Sequence, residues 1–167
     1  MPQYNFTLKF ALPQGESDSD ALLERLYSAG CDDALVGTGL QGRLALQFTR
    51  ESPTGAEAVH SAIDDVLRAA QEAVLAEAGP DYVGLTEIAA LIGCSRQNMR
   101  KLMLSHSLGF PFPVHEGTTS LWHLADVLSW FQAARQRQSD PQLLEVALIC
   151  KAINAQRQLS RSLAMPR

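Results

Sequence analysis

The chain has little positive charge, few cysteines and no long apolar run, and each shortage removes a class of protein. Cys31, Cys94 and Cys150 are the 3 cysteines among 167 residues; they lie far apart and form no CxxC pair. An odd, scattered set supports neither a disulfide framework nor a zinc ribbon, so all three are expected to be reduced and mostly packed. No apolar stretch approaches the roughly 18 residues of a membrane span, and the N-terminus has neither the basic region nor the apolar core of a signal peptide. The expectation is a cytoplasmic protein with no membrane partner. No Ser-His-Asp or Cys-His constellation is readable. The pairs Asp32-Asp33 and Asp64-Asp65 are sequence neighbours, whereas glycoside or metal-ion hydrolysis needs carboxylates converging across a cleft. They read as solvated caps and turns, and the protein reads as a non-enzyme without a cofactor. Internal repeats and low-complexity segments are also lacking.

An apolar fraction of 46% is that of a globular chain, and the length suits one ordinary domain or two small ones. Net charge is −4, which by itself disfavours a polyanion partner, but it is unevenly spread. Residues 1–81 carry 5 Lys and Arg against 13 Asp and Glu, residues 82–140 carry 5 against 4, and residues 141–167 carry 4 against 1. An acidic front joined to a neutral-to-basic back fits a two-part protein in which only the back approaches nucleic acid. Such sparse basic charge predicts modest affinity for one copy, which a homodimer on a paired site would raise.

Tyr4, Phe6, Leu8, Phe10 and Leu12 alternate with Asn5, Thr7, Lys9 and Ala11, the period of a strand with one buried face. A loop from Pro13 through the acidic run follows, then a helix marked by Ala21, Leu22, Leu26 and Tyr27 and ended by Gly30. A short strand is expected over 34–36 and an alternating strand over 43–49, and Thr54 with Glu57 forms a capping box for a helix through Val59, Ile63, Val66 and Leu67. Residues 74–78 fit a fourth strand or an extension of that helix. As a strand they complete a βαββαβ order, the ferredoxin-like arrangement. Gly37-Thr38-Gly39-Leu40-Gln41-Gly42 spells GxGxxG, but Arg43 onward has strand periodicity where a dinucleotide site needs a helix, so it reads as a hairpin turn.

After a loop at Gly79-Pro80-Asp81, residues 85–103 read as two short helices around a tight turn. Ile88, Leu91 and Ile92 repeat at helical spacing, Gly93 ends that helix, and Ser95 caps the next, whose inner stripe is Met99, Leu102 and Met103. The opposite face belongs to Gln97 and Lys101, flanked by Arg96, Asn98 and Arg100. Arg and Lys reach guanine acceptors or phosphates, and Gln or Asn pairs both ways with adenine. Ser95 reads as a cap that also reaches a phosphate, Arg96 and Lys101 as backbone contacts, Gln97 and Arg100 as base readers, with Asn98 beside them. Residues 109–122, rich in Pro and in β-branched and aromatic residues around Glu116-Gly117, read as a small hairpin. Leu124, Val127, Leu128 and Phe131 mark a further helix. Asp140 before Pro141 starts the last one, with an apolar stripe of Leu144, Leu148, Ala152, Ala155 and Leu159. Cys94, His106, His115 and His123 match no zinc spacing, so no metal site is expected.

The segment 84–131 resembles the winged helix-turn-helix of the MerR-like and phage excisionase group. The residues that carry the likeness are Leu85 to Ala89, Gly93 to Gln97, Phe110 to Pro113, Trp122 and Ala125 to Val127. The resemblance implies a second helix in the major groove, with Arg96, Gln97, Arg100 and Lys101 at DNA, and a wing on the backbone or minor groove. Glu116 and His123 stand where members often carry Arg or Lys.

The expectation is therefore an α+β protein in three parts: an acidic ferredoxin-like domain over 1–79, a winged helix-turn-helix over 82–137, and a C-terminal helix over 140–165 suited to dimerisation. Its expected function is sequence-specific binding of double-stranded DNA, as a transcriptional regulator. The rivals are an antitoxin or adaptor with a protein partner on the acidic N-terminal part, an architectural DNA-binding protein of excisionase or packaging type, and a small-molecule sensor using the sheet.

Overall fold

In the first half, apolar residues recur at every second position of two long strands, broken only by the inward Arg50, and these side chains build a core on one side of a sheet. The computed structural model describes residues 1–13, 19–38, 40–134 and 140–164. The loop residues 14–18, Gly39, and the stretches 135–139 and 165–167, on which parts of the expected loop and domain ends fall, lie outside the described residues. Strands β1 (Gln3–Ala11), β2 (Ala34–Gly37), β3 (Arg43–Glu51) and β4 (Val74–Gly79) form an antiparallel sheet in the order β2-β3-β1-β4. Helices α1 (Ser19–Ser28) and α2 (Gly55–Ala69) connect β1 to β2 and β3 to β4. Residues 74–79 are thus a strand, and the chain after Gly42 enters β3 rather than a helix, as a hairpin turn requires.

Tyr4, Phe6, Leu8 and Phe10 of β1 and Leu44, Leu46 and Phe48 of β3 are buried against Leu22 and Leu26 of α1 and Ala58, Val59, Ala62 and Val66 of α2. Phe6 lies opposite Phe48 in the β1–β3 register, and their rings stack 5.1 Å apart. Thr54 caps α2 by accepting from the Glu57 amide at 3.1 Å. Tyr27, read as part of the buried stripe of α1, is instead half exposed because it falls a quarter-turn outside the Leu22–Leu26 row.

Arg50 occupies an inward position of β3. Its guanidinium reaches Asp33 at 2.7 Å, Asp65 at 3.0 Å, the Ser61 hydroxyl at 3.0 Å and the Gly30 carbonyl at 2.8 Å. Burial works against its charge, but the two carboxylates outweigh burial and raise its pKa. Asp33 and Asp65, expected as solvated caps and turn residues, therefore tie the α1–β2 loop and α2 to β3. Only Asp32 and Asp64 of the two pairs fit that expectation.

Beyond β4, β5 (Tyr82–Val83) leads into α3 (Leu85–Ile92) and α4 (Arg96–Ser105), and β6 (Trp122–His123) leads into α5 (Leu124–Ala134). These elements share a second buried cluster: Val83, Ile88, Ala89, Met99, Phe110, Trp122, Leu124, Ala125, Val127, Leu128 and Phe131. Helix α6 (Pro141–Ala164), started by the Asp140 carboxylate accepting from the Gln142 amide at 2.9 Å, supplies Val146 and Cys150 to the first cluster and Ala147 to the second. It crosses the start of α2 so closely that a Cβ on Gly55 would lie 2.8 Å from the Cβ of Glu145. Glu145 accepts from the Tyr4 hydroxyl at 2.9 Å and from the Gly55 amide at 3.2 Å. Its inward face is not the Leu144–Leu159 stripe expected from the sequence: Leu148, Ala152, Ala155 and Leu159 point outward. Among the described residues no helix is long and apolar enough to cross a membrane.

Two outcomes follow from this packing. Arg50→Met strands two carboxylates beside a buried position and should cost about 3 kcal/mol in urea denaturation, with Arg50→Lys recovering part of it. Burial pushes the Cys31 thiol up to about 11 and the Cys150 thiol up to about 12, so both remain protonated at neutral pH. A native thiol titration should therefore show rapid reaction at the partly exposed Cys94 alone, the other two appearing on unfolding.

Candidate nucleic-acid interface

The turn between α3 and α4 is set by local hydrogen bonds. Glu87 folds back to accept from the Gly84 amide at 3.2 Å, which holds the start of α3. At its end Gly93 adopts φ 86°, ψ 35°, and the Gly93 and Cys94 amides both donate to the Ala89 carbonyl at 2.9 Å. That left-handed conformation favours glycine. Ser95 then accepts from the Asn98 amide at 3.1 Å and caps α4. Met99 is fully buried and Leu102 and Met103 pack partly beneath the helix, so the remaining positions are turned outward. Leu91 departs from the expected inner stripe of α3. It is partly exposed in the cleft between α3 and the sheet, lined also by Thr7, Gln47, Tyr82 and Ala90.

Ser95, Arg96, Gln97, Asn98, Arg100 and Lys101 are all exposed, on α4 or at its cap. Among the described residues none of Arg96, Arg100 and Lys101 lies within ion-pair distance of a carboxylate. The helix face divides into two rows. Arg96 and Arg100, one turn apart, line a cleft of about 360 Å³ whose other walls are Thr86 and Glu87 of α3 and Thr118, Thr119 and Ser120 of the hairpin. Gln97 and Lys101 lie on the far side, where they form a shallow hollow with Arg100, Leu104 and Ser105. Arg100 borders both.

The hairpin of residues 114–121 is closed by the Val114 amide donating to the Leu121 carbonyl at 2.7 Å and the Leu121 amide donating to the His115 carbonyl at 3.0 Å. Its second arm does not continue to pair with the first. Trp122 and His123 pair with Val83 and Tyr82 instead. The Trp122 indole donates to the Pro111 carbonyl at 3.1 Å, and Phe110 packs edge-on against Trp122 and Trp130, which anchors the base of the hairpin. Thr118, Thr119 and Ser120 were not foreseen as cleft residues; the run of hydroxyls beside Gly117 was the available signal.

The groups considered as metal ligands do not converge. His106 lies edge-on to Trp130, His115 sits in the hairpin, and His123 faces Asp81 at 2.6 Å. Among the described residues no group of three metal-ligating side chains occurs. Comparison of the chain with protein-family models, with curated proteins and with solved structures finds no match.

A Cβ added at Gly93 would meet nothing within 4 Å, so the need for glycine there is purely conformational. Gly93→Ala should cost about 1–2 kcal/mol and Gly93→Asn less. Ser95→Ala should cost about 1 kcal/mol through the lost cap. Denaturation midpoints of the three variants measure these differences.

Proposed function

We propose that the protein binds double-stranded DNA sequence-specifically, with α4 in the major groove, and acts as a transcriptional regulator. The observation that carries this reading is the outer face of α4: three cations and two side-chain amides, all exposed, with none of the cations neutralised by a carboxylate among the described residues. A solvated helix face usually mixes acids with bases, whereas this one holds donors throughout, which suits base acceptors and phosphates. In this reading residues 84–131 are a winged helix-turn-helix of the MerR-like and excisionase kind. The β-α-β-β-α-β order and the strand order β2-β3-β1-β4 support a ferredoxin-like fold for the N-terminal part.

Gln97 and Arg100 take base edges, since Gln97 lies mid-face on α4 and Arg100 borders both rows, with Asn98 next to them. Arg96 takes a backbone phosphate beside the hairpin cleft, Lys101 one on the far side, and the Ser95 hydroxyl a third at the helix start. The Thr118-Thr119-Ser120 run offers hydroxyl donors to the same strand as Arg96. A second reading, an antitoxin or adaptor whose partner is a protein, draws on Leu104, Leu108 and Phe112. These large apolar side chains stand exposed at the end of α4 and in the segment after it.

Genomic DNA fragments retained by the protein at near-physiological salt, sequenced alongside those retained by Arg96→Ala/Arg100→Ala/Lys101→Ala, test the proposal. A motif that disappears in the triple variant is the expected result; no enrichment over the variant would favour the protein-partner reading. On a defined site, Arg100→Ala should lose about 1–3 kcal/mol and relax preference at one base pair, whereas Arg96→Ala should weaken all sequences alike and flatten the salt dependence.

A further inference from the structure

Helix α6 has two apolar faces, and the fold uses one. Val146, Cys150, Ile153 and Asn154 face the body of the protein. Leu148, Ala152, Ala155, Leu159 and Leu163 fall, at about 100° per residue, within one arc on the opposite side, while Leu144 at the start of the helix packs partly on the second core. Leu148, Leu159 and Leu163 are 49%, 56% and 79% exposed, and both alanines are exposed as well. No charged residue interrupts the row.

From Leu148 to Leu159 the row is the same read in either direction: its steps are 4, 3 and 4 residues, with leucines at both ends and alanines in the middle. A two-fold axis crossing α6 between Ile153 and Asn154 sets Leu148 against Leu159 of a second copy and Ala152 against Ala155. The small central pair lets the helix backbones approach, and the leucines close the ends. An isologous contact sets each residue against its counterpart across the axis, so this row puts leucine on leucine and alanine on alanine and buries no charge, a match that a partner of another sequence gives no reason for. We infer that the outer face of α6 is the surface on which two copies of this chain pair, antiparallel, helix against helix. The surface is distinct from α4, so the pairing does not depend on what α4 binds. A contact of one helix per copy is small beside the roughly 800 Å² per partner of a standard interface, and the dimer is accordingly reversible.

Sedimentation of the full chain over a range of concentrations tests the inference. The wild-type protein should shift from monomer to dimer as concentration rises, and Leu148→Glu/Leu159→Glu should lose the dimer without lowering the thermal transition of the monomer. Ala155→Arg serves as an independent second variant should the double substitution impair folding. A wild-type protein that stays monomeric, or a dimer that survives these substitutions, overturns the inference. Direction is read from spin labels on Ser162→Cys in a Cys94→Ala background. Antiparallel pairing separates the two sites by about 26 Å along the axis at 1.5 Å per residue, whereas labels in direct contact would mean parallel pairing and would overturn this register.

Discussion

The two cores are held in one arrangement by a carboxylate that has no access to water. Asp81 follows the last strand of the sheet, and its side chain is 0% exposed. One oxygen meets the His123 imidazole at 2.6 Å, and the other accepts from the Asn154 amide at 2.9 Å. Its backbone carbonyl accepts from the Leu124 amide at 2.7 Å, which starts α5. Asn154 completes the knot with two bonds to the backbone of Ala78: its Oδ1 accepts from the Ala78 amide and its Nδ2 donates to the Ala78 carbonyl. A buried carboxylate left unpaired costs several kcal/mol, and a buried amide has several bonding groups to satisfy. Sheet edge, connecting segment, α5 and α6 must therefore meet at one point, and any rotation of the α3–α4 unit against the sheet would break that network. Outlying bonds reinforce it: Lys151 to Asp126 at 2.7 Å, and Gln158 to the Tyr82 hydroxyl at 2.7 Å.

What could be read from the sequence follows the range of the interactions. The alternation in β1 and β3 was legible because a strand with one covered face repeats every second residue. The caps at Thr54, Ser95 and Asp140 were legible because donor and acceptor lie within three residues of one another. The role of Asp81 was not, since its partners are 42 and 73 residues away; a Gly-Pro-Asp loop signal looks the same whether the aspartate is solvated or buried. Arg50 escaped for a related reason. Its inward position in the alternation was visible, but the second carboxylate that compensates it sits on α2. The two-residue pairing of β5 with β6 carries no periodicity at all.

Helix α6 shows the limit of periodicity from another side. The Leu144–Leu159 row is a genuine apolar stripe, yet the face that packs internally contains Asn154 and is lined by the small residues Ala147 and Cys150. Hydropathy ranks that face lower because its energy comes partly from satisfied polar groups, and because close approach of α2 and β4 favours small side chains over large ones. A pattern can identify an apolar face; it does not say which of two faces meets the fold and which meets something outside it.

The same helix links the two proposals physically. Val146 and Cys150 pack on the sheet core, and Ala147 packs on the core beneath α3 and α4. An element seated in both cores moves with both, so pairing through its outer face would carry each α4 as part of a rigid body. The separation and two-fold relation of the recognition helices would then be set by the body of the protein rather than by a flexible linker. Half-sites for such a pair have one permitted spacing and an inverted arrangement. The sparse cationic charge of each α4 would make that constraint consequential: on the proposed reading one copy has Arg96, Arg100 and Lys101 to offer, and two rigidly related copies would bring a second set to the same duplex without further ordering cost.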